Sequence, residues 1–137
     1  MKQNSVKLIY AFVLCAFISC KGVSEEQVIG NYYLVAMDYV KEETSLSYKL
    51  EDGNSVGVVD KTVFAVGFND NYIIVKQHPS NNRTITNYYI VPIYKESTLS
   101  PEKGLIGPLT LEQFNEKRKE LNISDKVTFT KEIEDLK

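Results

Sequence analysis

The amino-acid sequence predicts an α+β domain that is mostly β: an antiparallel meander sheet of about six or seven strands with one C-terminal amphipathic helix packed on it. Three observations carry that expectation. Valine, isoleucine and tyrosine crowd into short segments between residues 28 and 94, and these types suit a pleated, half-buried surface. The segments are separated by turns rich in Asn, Asp and Gly. One stretch after Thr110 changes to helical spacing behind an N-terminal capping signature.

A leader precedes the domain. Lys2 and Lys7 give a basic start, residues 8–18 are apolar, and small Ser19 stands before Cys20. That order is the pattern of a bacterial lipoprotein signal peptide over residues 1–19, with Phe17-Ile18-Ser19-Cys20 as the lipobox and the Cys20 thiol as the lipid acceptor. The apolar run falls well short of the roughly twenty residues that a helix needs to span a bilayer. Cys15 is the competing acceptor, but bulky Leu14 precedes it where processing needs a small residue. Ordinary secretion with cleavage nearby and an uncleaved anchor are the alternatives. At roughly 0.8 kcal/mol per buried methylene, two or three acyl chains hold a protein durably where one does not. The expected location is the cell envelope, through the N-terminal lipid. Lys21, not Asp, follows Cys20, so the outer membrane is expected in a bacterium that has two membranes.

Without its first nineteen residues the 137-residue chain suffices for one domain with a real core and not for two. Its formal charge of −2 becomes more negative once Lys2 and Lys7 are removed, which argues against nucleic acid as a partner. No cysteine follows Cys20, so neither a disulfide nor a thiolate metal site is expected inside the domain.

Polar residues 20–27 read as the lipidated cysteine and a short tether, and residues 28–137 as the domain. Residues 31–38 are apolar on both faces, as in a doubly covered strand. Residues 45–50 alternate cleanly, Asp52-Gly53 supplies the positive φ of a tight turn, and residues 54–59 return, which predicts a hairpin. Residues 63–68 and 72–77 flank Asn69-Asp70-Asn71 as a second hairpin. Residues 85–94 form a further strand, with Pro92 at a sheet edge or bulge. Residues 95–108 read as a loop punctuated by Pro101, Gly104, Gly107 and Pro108. Thr110 is the expected N-cap, Gln113 completes a capping box, and Leu111, Phe114, Arg118 and Leu121 share one face. A last strand at residues 127–129 precedes a charged, frayed tail.

Chemistry is sparse. His78 is the only histidine, and the chain has no Gly-Xaa-Ser-Xaa-Gly elbow, His-Glu-Xaa-Xaa-His helix or phosphate-binding glycine loop. A lone histidine beside Pro79 is an ordinary turn residue more often than a catalyst. One His without Cys cannot build the usual zinc sets, and Asn69-Asp70-Asn71 lacks EF-hand spacing, so no metal and no cofactor are expected. Eighteen acidic residues always allow some pair at glycosidase distance, and turns explain Asp38, Asp60 and Asp70 equally well. The sequons at Asn82 and Asn122 have no expected use in a bacterial lipoprotein. The tyrosine pairs are more informative: neighbours on a strand face opposite ways, so one of Tyr32/Tyr33 and one of Tyr88/Tyr89 turns from the main core unless a second layer covers it. Tyr33 and Tyr89, with His78, are the candidate binding surface, since aromatic rings suit sugar rings and protein partners.

Several segments carry a resemblance. Gly30-Asn31-Tyr32-Tyr33-Leu34, Leu46-Ser47-Tyr48-Lys49-Leu50, Val63-Phe64-Ala65-Val66-Gly67, the run from Tyr72 through Pro79, Asn87-Tyr88-Tyr89-Ile90, and Gly107-Pro108-Leu109-Thr110 with Phe114 together resemble a family of small, uncharacterised bacterial lipoproteins, a domain of unknown function of about this length. The resemblance spans nearly the whole domain. It implies an extracytoplasmic lipoprotein and carries over no catalytic residue.

The expected function is non-catalytic binding of an envelope protein or glycan, through a sheet face or through loops 79–83 and 95–108. The alternative is an inhibitor or immunity-type lipoprotein directed against an envelope-active toxin or hydrolase. A hydrolase built on His78 and a carboxylate is the third reading.

Overall fold

The computed structural model describes residues 22–137. The leader and Cys20 lie outside the described residues. Nine strands and one helix follow in chain order: β1 (Val23–Ile29), β2 (Tyr32–Met37), β3 (Ser45–Lys49), β4 (Ser55–Val59), β5 (Val63–Phe68), β6 (Tyr72–Gln77), β7 (Asn87–Pro92), β8 (Ile106–Leu109), α1 (Leu111–Glu120) and β9 (Lys131–Glu132). The mostly β class, the antiparallel pairing and the single helix near the C-terminus are as the sequence predicts. The strands do not form one meander, however. They divide into a four-stranded sheet, β1-β2-β3-β4, and a five-stranded sheet, β8-β7-β6-β5-β9.

Turn chemistry explains the hairpins. Between β3 and β4 Gly53 takes φ 86°, and the Asp52 carboxylate accepts the Asn54 N–H at 2.9 Å. Between β5 and β6 the Asn69 side-chain oxygen accepts the N–H groups of Asn71 and Tyr72, both at 2.8 Å. The helix starts where the capping box places it. Thr110 Oγ1 accepts the Gln113 N–H at 3.2 Å, and Gln113 Oε1 accepts the Thr110 N–H at 2.9 Å.

The two sheets share one core. Val28, Tyr32, Leu34, Leu46, Tyr48, Val58 and Val59 of the first meet Val63, Val66, Ile73, Val75 and Val91 of the second. Period-two alternation sends the neighbours of the latter set outward. There Ile74 and Ile90 bury against Phe114 and Ile123, and Phe64 and Ala65 against Leu136. The five-stranded sheet is thus covered on both faces, which is why its strands read as continuous apolar runs.

Five local expectations change. Residues 23–27, read as a tether, belong to β1, whose charged side chains lie on a solvated edge strand. Within the expected loop 95–108 the chain forms most of β8, paired to β7 through Tyr88–Leu109 and Ile90–Ile106. Residues 127–129 lie across β5 without pairing, and the strand that pairs there is β9. The tail is not frayed: Leu136 is fully buried. Leu111 also departs from the expected helix face and stands exposed, while Phe114 carries the burial. Among the described residues no helix is long and apolar enough to cross a membrane.

Candidate functional site

Lys76 and His78 follow Ile74 on the outward-facing side of β6, beyond the end of the area that α1 covers. With Phe64 of β5 and Tyr88 of β7 they line a basin of about 420 Å³. Arg83 and Thr86, from the loop after β6, complete one rim, and Glu132 and Lys137 of the C-terminal segment complete the other.

His78 is held from every side. Its backbone exchanges two hydrogen bonds with Thr62, at 2.9 and 3.0 Å. Its ring stacks on Phe64 with centroids 4.1 Å apart and planes 8° from parallel. Nδ1 meets the Ile85 carbonyl at 2.8 Å, and a carbonyl only accepts, so Nδ1 carries the proton. In the neutral ring Nε2 is then an acceptor. It is buried and finds no partner among the described residues, although the side chain is 3% exposed and borders the basin.

The walls carry charge. Three cations, Lys76, Arg83 and Lys137, stand against one carboxylate, Glu132. Glu132 accepts from Lys137 Nζ at 2.6 Å, and this bond holds its carboxyl below the usual glutamate range. Hydrogen bonds from Lys137 to Glu132 and Glu134 raise its ammonium in turn. Lys76 and Arg83 have no carboxylate at ion-pair distance among the described residues. Lys76 Nζ sits 4.5 Å from the Phe129 ring centre. Arg83 donates from Nε to Asn81 Oδ1 at 2.8 Å and from Nη1 to the Asp135 carbonyl at 3.0 Å. Burial pushes the Tyr88 hydroxyl up, and its ring stacks on Phe114 at 4.9 Å.

Only one of the sequence-predicted surface residues is in this basin. His78 lines it, and its aromatic neighbour is Tyr88. Tyr89 turns inward instead: its hydroxyl donates to Gln77 Oε1 at 3.2 Å, and burial, ahead of its other influences, raises it. Tyr33 does face away from the core, but on the other sheet, half-buried with Lys49 Nζ 4.7 Å above its ring. The sequence reasoning missed Lys76, Thr86, Glu132 and Lys137, and reached Arg83 only as the end of the candidate binding loop 79–83. Period-two spacing from Ile74 already placed Lys76 and His78 on one face.

Fold and site together define a small antiparallel domain of two packed sheets with a cation-rimmed basin on the outer face of the larger one. A family model described as "Protein of unknown function (DUF3997)" matches residues 29–135, and the chain belongs to that family. No curated protein and no solved structure matches it.

Proposed function

We propose that the protein is a lipid-anchored domain of the bacterial cell envelope that binds, without transforming it, an acidic sugar presented by an envelope glycan or glycoprotein. The leader and Cys20 support the anchor, and the outer membrane is the location where two membranes are present. The single observation that carries the binding reading is the basin rimmed by Lys76 and Arg83, two cations with no carboxylate at ion-pair distance among the described residues. A carboxylate or phosphate group suits the two cations, and half-buried Tyr88 offers aromatic surface beside them to a sugar ring.

Titration calorimetry with uronic-acid and phosphorylated saccharides tests this. Lys76→Gln and Arg83→Gln each remove one rim cation, and each should weaken binding about tenfold. Unchanged affinity in both variants, or equal affinity for neutral sugars, would sink the assignment.

A further inference from the structure

Four exposed apolar side chains gather where the chain enters the four-stranded sheet. Val23 opens β1 and stands opposite Met37, the last residue of β2. Tyr39 and Val40 follow in a tight turn closed by the Val40 N–H on the Met37 carbonyl at 2.9 Å. Their exposures are 43% for Val23, 53% for Met37, 68% for Tyr39 and 42% for Val40. Scattered single apolar residues are ordinary on a protein surface, whereas these four share one turn and the strand beside it. The Tyr39 ring lies against the backbone of Gly22, so closely that a Cβ there would fall 2.1 Å from it. The patch therefore touches the chain two residues after Cys20.

That adjacency names an occupant. Three Cα steps separate Cys20 from Val23, a reach of at most about 11 Å. A lipid on Cys20 brings the bilayer surface within that distance of the patch. A protein partner has no comparable guarantee. Tyrosine, with an apolar ring and a polar tip, suits the headgroup level. Asp38 at the tip of the turn is exposed, and Glu42 lies in the next turn, where Lys41 is paired with Asp135 and Glu43 with Lys61. These carboxylates disfavour a strongly anionic surface and match a zwitterionic one.

We infer that this edge rests on a zwitterionic phospholipid surface, with Val23, Met37, Tyr39 and Val40 in the headgroup region. The domain then stands on the membrane by its β1–β2 end in one orientation. The inference rests on the lipidation of Cys20.

The chain contains no tryptophan, so Tyr39→Trp supplies a single fluorescent reporter at the patch. Leu99→Trp supplies another, at a residue 85% exposed that shares a hollow with Asp52 at the far end of the same sheet. Each full-length protein, processed and acylated in the cell, is purified from membranes and placed in phosphatidylcholine vesicles with or without brominated acyl chains. Tyr39→Trp should emit to the blue of Leu99→Trp and be quenched about twofold by the brominated lipid, with Leu99→Trp unquenched. Emission from Tyr39→Trp as red as from Leu99→Trp overturns the docking, and equal quenching at both positions overturns the orientation. A blue shift without bromine quenching assigns the patch to protein contact and overturns it as well. Mass analysis of the same preparations separates the two readings. An acyl group on Cys20 with an unquenched reporter removes the docking alone, whereas an unmodified Cys20 removes the anchor and the docking together.

Discussion

Gly67 shows how much a single residue decides in this molecule. The backbone of residues 128 and 129 crosses β5 directly over it, and a Cβ at Gly67 would fall 1.9 Å from the Thr128 carbonyl oxygen. Backbone cannot retreat as a side-chain tip can. Gly67→Ala should therefore cost about 1–3 kcal/mol, read as a lower urea midpoint with an unchanged slope. The sequence shows Gly67 inside a strand and gives no sign of what crosses it. His78 is a parallel case. Its type and its place at the end of a strand are legible, but its stacking on Phe64 and its bond to the Ile85 carbonyl are not, because strand type and turn position do not say which side chains meet. Tyr89 and Tyr88 differ by one register position. The sequence says that they face opposite ways, and only the second sheet decides which of them meets the core.

At the scale of elements, legibility follows burial. β5 and β6 are predicted to the residue because they are central and apolar. β1 is hidden by Glu25 and Glu26, charges that suit an edge strand and pair there with Lys49 and Lys131. β8 is hidden by Gly107 and Pro108, since proline is tolerated where a sheet ends. The closing turn at residues 134–136 was hidden by its charges, and its ion pairs make its stability depend on pH. Hydrogen bonds from Lys137 and Lys41 hold the carboxyls of Glu132 and Asp135 below their ordinary values. A carboxyl depressed in the folded state contributes its stabilisation above the unfolded value, and loses it as pH falls through the folded one. Amide protection factors at residues 133–136 should thus decline as pH drops below about 4, the ordinary carboxyl range, while those of β6 hold. Equal declines in both segments would contradict a local opening.

The molecule as a whole depends on contacts between its two sheets. The Tyr32 hydroxyl in β2 donates to the Pro92 carbonyl at 3.1 Å and accepts the Tyr94 N–H at 3.3 Å, both in the chain at the end of β7. Burial raises this hydroxyl. Tyr32→Phe keeps the ring and leaves the Pro92 and Tyr94 backbone groups without it, at a cost of about 1–3 kcal/mol. With one core between the sheets, fluorescence and circular dichroism should still report a single shared unfolding transition, and two separate midpoints would mean that the sheets fold independently. The central strands and the hairpin turns could be read from the sequence, although about six or seven strands were expected and nine form among the described residues. The partition into two sheets could not, since alternation says which residues of a strand share a face and nothing about which strand lies beside it.

Asp135 joins two places of interest: its carboxylate takes Lys41, beside the Tyr39 turn, and its carbonyl takes Arg83, on the rim of the His78 basin. For anyone labelling this protein, the C-terminus is consequently the wrong handle. A fluorescent fusion or affinity tag after Lys137 would issue between the basin and the β1–β2 edge and screen both from view. The exposed Asp52-Gly53 turn, at the far end of the four-stranded sheet, can carry the same tag clear of either.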